Sequence, residues 1–161
     1  AAPMKIVNPS RERIAEFDRE TPDDRPIVMV NLLKFRERAD YPDGGPGGSG
    51  RDAYLRYSKA VVPLLWEVGG QLLWVGKARA GVIVPEGESW DEVALVHYPS
   101  RRAFLRMVGS AAYQSIMHHR TAALIDARLI ETRAAWLPRW LLGAARALLR
   151  VKSRFAAKIP G

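Results

Sequence analysis

The 161-residue sequence contains no cysteine, which excludes disulfides, thiolate metal sites and a cysteine nucleophile. It has only three histidines, and two of them, His118 and His119, are adjacent. Neighbours on a helix point about 100° apart and cannot chelate one ion together. Neither a metal nor a cofactor is therefore expected. No apolar run approaches the roughly 20 residues needed to span a bilayer. No apolar leader reads as a signal peptide, so a cytoplasmic location is expected. The glycine-rich stretch from Pro42 to Gly50 is followed by Arg51-Asp52, not by the Lys-Ser or Lys-Thr of a phosphate loop. There is no Ser-His-Asp order, no pair of catalytic carboxylates and no dinucleotide-type glycine pattern.

What is present is a globular balance of 48% hydrophobic and 26% charged residues, enough for one domain to bury a core without staples. The net charge of +8 is unevenly spread. Up to Thr132 there are 18 Lys and Arg against 17 Asp and Glu, whereas from Arg133 onward there are 7 bases and no acid. Nucleic-acid binding needs its bases on the folded body, so the near-neutral body argues against that partner.

Periodicity sets the organisation. Ser10 is a plausible cap for a short helix from Arg11 to Arg19, and residues 21–26 break the chain. Ile27 to Phe35 (IVMVNLLKF) suits a central strand. Arg51 to Val68 carries a helical apolar stripe, with Pro63 expected to bend or weaken it and Gly69-Gly70 to stop it. Gln71 to Arg79 reads as a strand, with Gly81 to Val84 as an extension, and Glu92 to Tyr98 as the next. Ser100 and Ser110 can cap two helical pieces, the second running from Ala111 to His119. Ala127 to Arg133 alternates as a half-solvated strand. The fold class is α+β: a ferredoxin-like βαββαβ antiparallel sheet with helices on one face. The expected parts are an N-terminal helix and lead-in (1–26), the ferredoxin-like domain (27–133) and a C-terminal segment (134–161).

Both alternating sets of the first strand are largely apolar: Ile27, Met29, Asn31, Leu33 and Phe35 on one side, Val28, Val30, Leu32 and Lys34 on the other. Helices cover one side. A second copy of the sheet is the simplest cover for the other, so a homodimer is expected.

MVNLLKFR (Met29 to Arg36), WDEVALVHYPS (Trp90 to Ser100), Ala103-Phe104, Tyr113-Gln114 and HHRTAALIDARLIET (His118 to Thr132) occur in one order. Together they resemble the family known as domain of unknown function 1330, within the dimeric α/β barrel superfamily, over roughly residues 8 to 132. The resemblance implies a pocket between sheet and helices and a dimer whose sheets face each other. It also implies a range of activities (cofactor-free monooxygenases, haem-degrading enzymes, isomerases, dehydratases, simple ligand binders) from which fold alone does not choose.

Asn31 is the one amide in an apolar strand; it either orients a ligand carbonyl in the pocket or is tied to backbone near a bulge. Tyr113 and Arg120 lie two helical turns apart. They would either hold a carboxylate between guanidinium fork and phenol, or form a helix-end arginine packed on a tyrosine. His119 is a candidate base, with Tyr113 as a second proton carrier. Tyr57 and Trp74, with Tyr54 and Trp66, could line a pocket for a flat ligand or belong to the core. The reading is a small-molecule-binding protein, and an enzyme using neither metal nor nucleotide if Asn31 and Arg120 hold a carbonyl- or carboxylate-bearing compound. The alternative is a non-catalytic ligand-binding or assembly module. In residues 134–161, Arg139, Arg146, Arg150, Arg154 and Lys158 recur at helical steps opposite an apolar stripe. That pattern suits an amphipathic helix lying on an anionic membrane surface, or docked on protein.

Overall fold

A serine opens each of the four helices among the described residues. Ser10 Oγ accepts from Arg13 N at the start of α1 (Arg11–Arg19). Ser49 forms a reciprocal capping box with Asp52 on α2 (Gly50–Glu67). Ser100 and Ser110 cap α3 (Arg101–Val108) and α4 (Ala111–Ala123) through Oγ alone, which accepts from Ala103 N and from Tyr113 N. The computed structural model describes residues 5–19 and 25–134. The expected C-terminal helix lies outside them.

α2 runs through Pro63 and ends in a Schellman turn, with Gly69 N bonded to Trp66 O, Gly70 N to Leu65 O, and Gly69 at φ +76°. The strands β1 (Ile27–Phe35), β2 (Gln71–Lys77), β3 (Glu92–Tyr98) and β4 (Leu124–Thr132) form one antiparallel sheet in the order β2-β3-β1-β4. This is the ferredoxin-like arrangement. Several boundaries differ from expectation. β4 starts at Leu124, directly off α4 with no glycine or proline between them, because Leu124 already adopts extended backbone. Gly81 to Val84 does not extend β2; it lies in a loop where Val82 and Ile83 are 92% and 96% exposed.

The register sorts the side chains. Met29 pairs with Val96 and Glu131, Asn31 with Ala94 and Leu129, and Leu33 with Glu92 and Ala127. Residues directly opposite share a face, and this one carries the buried set: Ile27, Met29, Leu33, Ala94 and Tyr98. It packs on Tyr57, Leu65, Phe104, Met107 and Tyr113 of the helices. The other face presents Val28, Val30, Leu32, Val93, Leu95 and Ile130, none of them buried, and Ile130 is 49% exposed.

Candidate functional site

The helix face does not close completely. Between it, α2, α3, α4 and the N-terminal arm (residues 5–19) lies a cavity of about 2040 Å³. Asn31 reaches it from β1, Tyr54 and Tyr57 from α2, Tyr113 and Arg120 from α4, and Val7 and Asn8 from the arm. Four of the expected site residues, Asn31, Tyr57, Tyr113 and Arg120, thus border one space.

Among the described residues two arginines are buried, and they differ in one respect. Arg101 (8% exposed) donates through Nη1 to Phe17 O of the arm and through Nε and Nη2 to Glu131 Oε2, at 2.9 and 2.6 Å. Arg120 (7% exposed) likewise donates through Nη1 to the arm, to Val7 O at 2.6 Å and Asn8 Oδ1 at 3.1 Å. Its Nε and Nη2 have no partner among the described residues, and no carboxylate pairs with it there. A buried guanidinium without a counter-charge is costly. The edge that Arg101 gives to Glu131 is open on Arg120.

Beside it sit the tyrosines. Tyr57 Oη and Tyr113 Oη are 3.2 Å apart in a buried hydrogen bond, with their rings edge-to-face at 6.3 Å. Tyr54 stacks against Tyr57 at 5.4 Å. Burial pushes the Tyr57 hydroxyl well above its ordinary value, and the neighbouring Tyr113 and Tyr54 add to this while the Arg120 charge opposes it. Burial raises Tyr54 as well, again against Arg120. At neutral pH both hydroxyls keep their protons and serve as donors rather than bases. Asn31 Nδ2 donates to Met29 O at 3.3 Å and lies 3.5 Å from Ala94 O, which ties one end of the amide to backbone. Its Oδ1 accepts nothing among the described residues and stays accessible.

Two expected site residues lie elsewhere. His119 does not border the cavity: its Nδ1 is 2.8 Å from Tyr41 Oη, on the side of α4 facing the glycine-rich loop. Burial, His118 and Arg56 together lower its pKa. One helical step separates it from Arg120, and that step turns it out of the site. His118, at the exposed rim, borders the cavity instead. Trp74 is on the other face of the sheet. A bulge between Leu72 and Trp74 shifts the register, so Trp74 pairs with Leu95 and its indole lies over Gly76, where a Cβ would meet the ring at 2.1 Å. Leu72 and Val75 take the cavity side of β2. The arm residues Val7 and Asn8 gave no signal in the sequence, since 113 and 112 residues separate them from Arg120. Among the described residues no three His, Asp or Glu side chains converge to hold a metal.

A ferredoxin-like sheet with a cavity beneath its helices, bordered by one uncompensated arginine and a tyrosine pair, defines the class of protein. The family model described as domain of unknown function (DUF1330) matches residues 49–132, and the chain belongs to that family. It is similar to the crystal structure of a protein of unknown function from Rhodopseudomonas palustris, at 34% identity. That match covers 83% of this chain and 100% of that one, with a TM-score of 0.77. The methylated form of that protein matches at 35% identity over 83% and 97% of the two chains, also at 0.77. A dimeric ferredoxin-like protein of unknown function from Bacteroides fragilis matches at 9% identity over 68% and 96% of the chains, at 0.44. No curated protein matches the chain.

Proposed function

We propose that the protein binds a small carboxylate-bearing compound in the cavity bordered by Asn31, Tyr57, Tyr113 and Arg120, and that it works as a homodimer. The observation that carries this reading is the open Nε/Nη2 edge of the buried Arg120. A planar carboxylate satisfies both donors at once and supplies the absent negative charge. The tyrosine hydroxyls and the Asn31 amide offer further hydrogen-bond partners for the head of the compound.

Binding is favoured over proton-transfer catalysis. Tyr54 and Tyr57 are held protonated by burial and His119 is engaged by Tyr41. The carboxylates of Glu92 and Glu131 at the cavity are committed to Arg51 and to Arg101 with Arg133. Denaturing the purified protein and identifying released small molecules by mass spectrometry tests the reading. A carboxylic acid recovered from the wild type, and absent from folded Arg120→Met, is the expected result. A neutral compound, or equal recovery from both, overturns it.

The dimer is supported by the apolar face of Val28, Val30, Leu32, Val93, Leu95 and Ile130, which no described element covers. Residues 134–161 support a second partner. They carry six bases and no acid, a composition suited to an anionic membrane surface. Flotation with anionic vesicles at low salt should carry the full chain and leave behind a chain lacking 134–161. Full-length protein that stays with the soluble fraction contradicts this.

A further inference from the structure

We infer that the carboxylate ligand is a singly charged amphiphile with an extended aliphatic body, its head on Arg120 and its tail running across the sheet to the β2 edge. This rests on the carboxylate reading above and adds the charge, length and direction of the ligand.

The charge follows from the bases around the cavity. Arg101 and Arg133 hold Glu131, Arg128 holds Asp126, and Arg13 pairs with Glu16. Arg11 stands at the exposed start of α1. Of the arginines that line the cavity, Arg120 is the buried one whose guanidinium has no acid among the described residues; its unbonded edge is accessible from the cavity, and one carboxylate fills it. A second anionic group carried further along the wall of Met29, Val61, Leu65 and Val96 would be desolvated there with no partner to offset the cost.

The length and direction follow from what lies beyond the head. Past the tyrosines the wall consists of Met29, Val61, Leu65 and Val96, and it continues to Leu72 and Val75 on the edge strand. Those last two are 47% and 49% exposed, so the cavity opens there. Arg120 is tied to the arm, which in turn bonds β4 through Ala127 N to Ile6 O. The path from the β4 side to the β2 edge crosses three strand spacings, roughly 14 Å, about the length of a ten-carbon chain. The cavity of about 2040 Å³ exceeds the 300–1,000 Å³ that is typical for compact ligands.

Isothermal titration of the delipidated full-length protein with sodium decanoate, sodium butyrate and 1-decanol, all below micellar concentration, tests this. Decanoate should bind with one site per chain. Each methylene removed should weaken binding about four-fold, so that butyrate is weaker by well over a hundred-fold. Decanol should bind at least about ten-fold more weakly than decanoate, the loss of one charge-assisted contact. Val75→Trp, a substitution on the half-exposed edge strand, should weaken decanoate and leave butyrate unchanged. Butyrate binding as tightly as decanoate overturns the tail and leaves the carboxylate reading standing. Decanoate unaffected by Val75→Trp overturns the direction. Decanol matching decanoate, or no binding by any of the three, overturns both readings.

Discussion

Replacing Arg120 by methionine should cost the ligand-free protein far less than the same replacement at Arg101. At Arg101 the change strips two bonds from Glu131, whose side chain is 13% exposed, and leaves it with Arg133 alone. Stranding one member of a buried pair costs about 3–5 kcal/mol, and the remaining Arg133 places this case near the lower figure. At 2–4 °C per kcal/mol for a domain of this size, the midpoint should fall by about 6–12 °C. At Arg120 the change removes bonds to two neutral acceptors, Val7 O and Asn8 Oδ1. It also removes a buried charge whose desolvation, several kcal/mol, no acid offsets. These terms oppose each other, and the net should lie within about 1 kcal/mol of zero. Urea unfolding of wild type, Arg101→Met and Arg120→Met, at one protein concentration and after removal of bound ligand, measures both. Decanoate at about a hundred times its dissociation constant should then add about 2.7 kcal/mol to the wild type and at most about 1.4 kcal/mol to Arg120→Met. A ligand-free loss at Arg120 equal to that at Arg101 would mean that its charge is already satisfied within the fold, and the argument for an external carboxylate would fall.

Three further outcomes follow from the same geometry. A Cβ on Gly50 would lie 2.3 Å from Arg36 O and 2.5 Å from Ala123 O, backbone atoms that cannot swing aside, so Gly50→Ala should lose about 3 kcal/mol in urea unfolding. The pKa of His119 is depressed by burial and by His118 and Arg56, so neutral His119 is favoured in the folded state. Its contribution to stability is complete above its unfolded value of 6.5 and declines as pH falls from there through the lower folded value; His119→Gln should flatten that decline in pH-dependent unfolding. Ile130→Glu places a charge on the uncovered sheet face and should give a monomer in sedimentation, where the wild type should sediment as a dimer burying on the order of 2,000 Å².

The strand order was legible because β-branched runs and helical stripes alternate with little ambiguity, and because serines and the Gly69-Gly70 pair mark helix ends. That four of the expected residues line one cavity was legible for a related reason: polar groups embedded in apolar segments need partners. What was illegible arises from contacts distant in sequence or from irregular backbone. One extra residue at the Leu72/Trp74 bulge moves Trp74 to the opposite face, and alternation counted along the chain cannot reveal it. His119 has a near-neutral reference pKa and a site-like position, but its partner Tyr41 comes from a loop 78 residues away. Gly50 looked like one more loop glycine, yet it opens α2 where the Arg36 and Ala123 backbones press together. The arm that fixes Nη1 of Arg120, and so leaves its other edge open, is joined to it only by tertiary structure.

The most direct measurement is the side-chain Nε–H resonance of Arg120, assigned by comparison with Arg120→Lys and followed by proton–nitrogen NMR as decanoate is added. That resonance should move downfield and saturate at one decanoate per chain, while the Arg101 resonance, already bonded to Glu131, stays in place. An Arg120 resonance that does not move while decanoate binds would place the carboxylate elsewhere and contradict the assignment of this site.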